Sequence, residues 1–243
     1  MHTLISEKST FESICSNFRP QPYRFIHKAL RKLLCNALLE VGALDVAIDA
    51  ERVKLVSVIN HILGICTDHL NHENKFYHEP LHAIASKVVS PFYNEHLEHL
   101  LVIEELRSLL GKICDASPDS QARAYELYLR FSNFVAENLV HMVEEETTLT
   151  AALWANFTDD EINGFGDDLR AALSEAESGF YLYWMAKSLN HSELSTIMLE
   201  IKSSAPLPVF EQILQMVLNE ITADRVLALN AVLFVNDQEI GQT

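Results

Sequence analysis

A histidine followed four residues later by a glutamate occurs twice in this chain of 243 residues, at His69 and Glu73 and again at His141 and Glu145. Both pairs lie where apolar residues recur every three to four positions, the period of an α-helix. Residues four apart share one helix face, so each pair presents an imidazole and a carboxylate to the same side. Two other long periodic stretches also carry histidines: His27, and His96 with His99, three apart and again on one face. Of the 11 histidines, nine fall between His27 and His141. A fold that lays these four stretches side by side gathers imidazoles and carboxylates in one place.

The rest of the pattern agrees with helices. Seven glycines and seven prolines are few for this length, which argues against turn-rich all-β folds. Tyr23, Ile26, Leu30, Leu34 and Leu38 predict a first helix over 22–42. A second starts near Asp49 and Glu51 and carries Ile59, Leu63, Leu70 and Phe76, with Pro80 as a break or kink. Residues 81–90 are ambiguous, and Pro91 suits the start of a third helix that ends around 114–119. Ser117 and Pro118 suit the start of a fourth, running through Leu149. Four such helices with short connections predict an all-α fold, an up-down-up-down four-helix bundle. Counted from the turns, His27 and His69 sit at equal depth in antiparallel helices. A boundary at 154–160 divides the chain into the bundle, 20–155, and a helical C-terminal extension, 156–243, with helices over 167–187, 192–202, 208–221 and 223–233. The polar residues from Asn236 on are expected to fray.

Burying several imidazoles and carboxylates together is costly unless something neutralises them. A metal ion does so. Five or more histidines with two carboxylates exceed the needs of one tetrahedral zinc. Two ions, carboxylate-bridged, fit the count better, and iron is the metal whose redox chemistry makes such a site useful.

In this order the residues His27, His69 and Glu73, His96 with His99, and His141 and Glu145 resemble the hemerythrin-like, HHE cation-binding domain family of bacterial type with a C-terminal helical extension. The resemblance spans roughly residues 20 to 155. It implies a non-haem di-iron centre in which His27, His69, His141 and one or both of His96 and His99 are terminal ligands. It implies Glu73 and Glu145 as bridging carboxylates. Oxygen carriers of the family space their third-helix histidines four apart, whereas here they are three apart, and His96 is the preferred ligand. The last carboxylate is read as Glu145, four after His141, and not Glu146.

The implied function is to bind or react with O2, NO or peroxide for sensing, storage or detoxification. The alternatives are a peroxide- or NO-reducing di-iron enzyme, and a helical scaffold whose metal site is degenerate or holds zinc. No catalytic residue is singled out. A homo-oligomer or a protein partner would use the C-terminal helices. A net charge of −16 disfavours nucleic acid and anionic membranes. No run approaches the ~18 apolar residues needed to span a bilayer. The lack of a signal-like start and the scattered Cys15, Cys35, Cys66 and Cys114 suggest a cytoplasmic protein with buried, reduced thiols. Among the neighbours, His72 and His78 point off the His69 face and read as outer or surface groups. His61 reads as a hydrogen-bonded core residue, Glu144 and Glu146 as a solvated acidic face, and Tyr23 and Tyr77 as core-edge tyrosines.

Overall fold

The computed structural model describes residues 14, 19–113 and 118–234. These residues are helical throughout, with no strand among them. Helix α1 spans Arg24–Gly42 and α2 spans Asp49–Glu73, followed by a π-helical turn, π1, over Asn74–His78. Next come α3, Glu79–Gly111, and α4, Ser120–Glu144, with a second π-turn, π2, over Glu145–Leu149. Shorter helices complete the chain: α5 Thr150–Asn156, α6 Asp159–Ala172, α7 Glu175–Ser188, α8 His191–Ser204, α9 Leu207–Glu220 and α10 Ala223–Leu233.

The described residues fall into two compact units, one built from residues up to Arg24 and from 33–172, the other from 25–32 and from 173 on. In the first unit α3 packs on α2 and α4, and α6 packs on π1. Tyr23, Tyr77, Leu81, Val89, Phe92, Leu149, Leu153 and Ile162 form one core cluster there. Phe165 and Leu169 of α6 pack against the same cluster, and this unit runs on to Ala172.

Two expectations about α3 need correction. Pro80 does not end a helix; it lies in the first turn of α3, where its missing N–H is tolerated. Pro91 does not begin one either, since α3 passes through it. The break lies at Ala85, where φ −128° and ψ 47° leave the helical region and kink the helix. The third helix ends at Gly111, shortly before the expected 114–119; the chain beyond Asn236 lies outside the described residues.

In the second unit Leu182, Ala186, Leu194, Met198, Phe210, Leu214, Val217 and Leu229 form the core, with Phe25 packed against them. The buried Glu193 carboxylate is matched by Lys28, whose Nζ lies 2.6 Å from Oε1. The helix expected over 167–187 is divided in two, because Ser174 caps α7. Its Oγ accepts from the Glu177 N–H at 3.2 Å, while the Glu177 carboxylate accepts from the Ser174 N–H at 2.8 Å. Asn190 and Glu193 repeat this reciprocal cap at α8. Ser174→Ala should lower the unfolding free energy by about 1 kcal/mol in urea titrations.

No described helix is long and apolar enough to cross a membrane. Of the cysteines, Cys66 is buried as expected, but Cys35 is exposed; Cys15 and Cys114 lie outside the described residues.

Candidate metal centre

The first unit gathers Glu73 from α2, His96 from α3, and His141 and Glu145 from the end of α4 and the start of π2. One ligand atom from each of these four buried residues lies within 4.8 Å of every other. The α-helical register does the local work. His141 Nε2 reaches Glu145 Oε1 at 3.2 Å across one turn, and His69 Nε2 reaches Glu73 Oε1 at 3.1 Å across another.

His96 and His141 meet at their tips, Nε2 to Nε2, at 2.9 Å. Their other nitrogens are engaged: His96 Nδ1 with Asn74 Oδ1 at 2.8 Å, and His141 Nδ1 with Glu95 Oε2 at 2.8 Å. Both oxygens accept hydrogen bonds, so both Nδ1 atoms carry the hydrogen and donate. In the neutral rings both Nε2 lone pairs then face one point, which is the arrangement of histidines that bind a metal. Glu73 turns its two oxygens in different directions, Oε1 toward His69 and Oε2 toward His96 Nε2 at 3.9 Å. A carboxylate so divided can serve two ions.

Burial and neighbouring charges shift the ionisable groups of the cluster. Burial pushes the His141 imidazole down, but the charges of Glu145 and Glu73 and the hydrogen bonds to Glu145 and Glu95 outweigh it and bring its pKa up to about 9. Burial raises Glu145, yet the His141 charge and the close imidazoles of His141, His78 and His96 hold its carboxyl well below the usual range. At neutral pH His141 is therefore protonated, and its Nε2 faces Glu145 Oε1 at 3.2 Å. Burial and the charges of His141 and His96 push His99 down to about 4. Burial and then the Glu145 and Glu73 charges hold the Tyr23 hydroxyl well above 10, and burial pushes Tyr77 up to about 12.

The structure thus unites Glu73, His96, His141 and Glu145, with His69 against Glu73. His99 is buried, its ring edge-on to His141 with centroids 4.9 Å apart, but it is not one of the four. His27 is fully buried on α1, in the stretch 25–32 that is counted with the second unit. Tyr23 and Tyr77 lie in the core, not at its edge. His61 is exposed, against the expectation of a core residue. It precedes His69 by eight residues, which on an α-helix rotates it about 80° off that face.

Sequence reasoning missed Asn74 and Glu95, which set the tautomers of His96 and His141, and above all His78. That side chain is completely buried, with Nε2 3.3 Å from Glu145 Oε1. On an α-helix a residue five after Glu73 would diverge by about 140°. The wider π1 turn, bonded i to i+5, brings it back. The only hint in the sequence is the position itself, five after a motif glutamate; Thr150 stands five after Glu145 and its Oγ1 donates to the Glu145 carbonyl at 3.2 Å. Compared with known proteins, the chain matches no family model, no curated protein and no solved structure.

Proposed function

We propose that the chain is a hemerythrin-like four-helix-bundle protein with a non-haem di-iron centre, which binds or reacts with O2, NO or peroxide in sensing, storage or detoxification. One observation carries this reading: two buried imidazoles, each with Nδ1 tied to an acceptor, aim Nε2 at one another and at Glu145 Oε1 within 3.3 Å. A cation at that point would satisfy all of these atoms at once.

In this reading His69, Glu73, His96, His141 and Glu145 would hold the two ions, the imidazoles as neutral donors and the carboxylates supplying the negative charge. By the resemblance, His27 belongs to the set, and His99 stands beside it. Iron bound there would supply a reversible one-electron couple and a coordination position for the small ligand. The chain's own residues hold the imidazoles in their tautomers through Asn74 and Glu95 and keep water away. Phe92 lies 6.1 Å from the His141 ring, and Phe134 lies 6.4 Å from His99.

Anaerobic titration with Fe(II) should give saturable uptake near two equivalents per chain. No saturable uptake would sink the proposal. Tight zinc binding with no reconstitution by Fe(II) would favour a structural metal site instead.

A further inference from the structure

We propose that His78 is a third imidazole ligand of the ion held by His96, His141 and Glu145, delivered by the π1 turn. The inference rests on the metal-centre reading above and adds to it a ligand that the helical motif does not contain.

Three imidazole nitrogens converge on a single oxygen, Glu145 Oε1: Nε2 of His78 at 3.3 Å, of His96 at 3.3 Å and of His141 at 3.2 Å. Hydrogen bonding does not account for all three. One carboxylate oxygen offers about two lone-pair directions, fewer than the three nitrogens that meet it. Convergence of nitrogens round a point beside a carboxylate is what a shared cation produces.

His78 also has no other occupation. Its ring is completely buried, and neither nitrogen makes a well-formed hydrogen bond. A buried polar group left so calls for a compensating partner. The ring stacks on His96, centroids 4.9 Å apart and planes 28° apart, so the two imidazoles approach Glu145 side by side, as neighbouring ligands of one ion would. Tyr23, Phe92 and Tyr93 pack around it at 6.5, 6.2 and 5.8 Å and hold it there. His99, the third-helix candidate, instead packs edge-on against His141 and Phe134, with no carboxylate at ion-pair distance among the described residues.

The π-turn is the second line of argument. Such turns are rare, and inside α-helices they concentrate at functional sites. Here π1 begins immediately after Glu73 and ends on His78. A regular helix would leave Glu73 in place and turn His78 away from it, so the turn is what brings His78 to the centre.

The experiment uses the full chain. Wild type, His78→Gln and His78→Phe are titrated anaerobically with Fe(II) against a competing chelator. Wild type is also labelled with 15N-histidine and loaded with Zn(II) as a diamagnetic probe. Both variants should bind one iron equivalent at least roughly 100-fold more weakly, beyond what loss of an outer hydrogen bond to a ligand causes. On zinc loading, a His78 ring nitrogen should shift together with Nε2 of His96 and His141. The proposal is overturned if both variants load as wild type does. It is equally overturned if the His78 nitrogens stay at neutral-imidazole positions while those of His96 and His141 move, which would make His78 a packing or Glu145-positioning residue. Should the variants fail to fold, the wild-type spectrum alone decides. If wild type takes up neither metal, the metal-centre reading itself falls, and this is seen before any variant is made.

Discussion

Changing Glu145 to glutamine is expected to weaken metal uptake by roughly a thousandfold. The side chain is fully buried and its Oε1 stands at 3.2–3.3 Å from three imidazole nitrogens. Glutamine keeps the shape but removes the charge that draws a cation into an apolar core. Deleting one partner of a buried charged pair costs about 3–5 kcal/mol, which corresponds to that factor. The same change has a second signature in the metal-free protein. The Glu145 charge is the chief force that holds the His141 proton against burial. Without it, burial dominates and the imidazole should titrate far below its present value of about 9. Chelator competition reads the first effect and NMR titration of the histidine ring reads the second. Unchanged uptake together with an unchanged His141 titration would remove Glu145 from the centre.

Metal affinity should climb with pH and level off above about 9. His141 keeps its proton up to about pH 9 in the metal-free chain, and it must release that proton before Nε2 can bind an ion. Below that value each pH unit costs about tenfold, so binding at pH 7 should be roughly 100-fold weaker than the plateau. His99 is neutral above about pH 4 and Glu145 is already ionised, so neither adds slope near neutrality. Binding at pH 7 should therefore release about one proton from His141, measurable by calorimetry in buffers of different ionisation enthalpy. A flat affinity profile between pH 6 and 9 would refute this.

Metal-free stability should follow a different course. A raised histidine pKa contributes stability that is whole below the unfolded value of 6.5 and lost as pH rises through about 9. The depressed Glu145 contributes stability present above 4.5 and lost as pH falls through its folded value. The depressed His99 removes stability as pH falls from 6.5 to about 4. The metal-free protein should be most stable near pH 6.5, while the gain from added metal continues to grow toward pH 9. Thermal unfolding with and without metal, across that range, checks both slopes.

Local signals located most helices. Apolar periodicity over 22–42 matches α1 at Arg24–Gly42, and Asp49 does begin α2. The second unit's last three helices lie within a few residues of their expected spans. These signals work because amphipathic periodicity and capping chemistry are properties of a few adjacent residues. The His–Glu pairs were legible for the same reason: four residues on an α-helix is a fixed rotation, whatever surrounds it.

Other features depend on the phase of the helix, which period alone does not set. One inserted π-turn rotates everything after it, so His78, read as pointing away, lies at the centre. The kink at Ala85 lets one helix run through two prolines that read as boundaries. The reach of the first unit to Ala172 follows from Ile162, Phe165 and Leu169 finding the core that holds Tyr77 and Leu153, a contact made across distant parts of the chain. Periodicity among neighbouring residues was enough to show a protein built of helices and to pair the side chains four apart on a regular turn. Which faces meet, and where a helix departs from regular geometry, emerges only in the folded chain, because that depends on packing and charge summed over segments far apart in it.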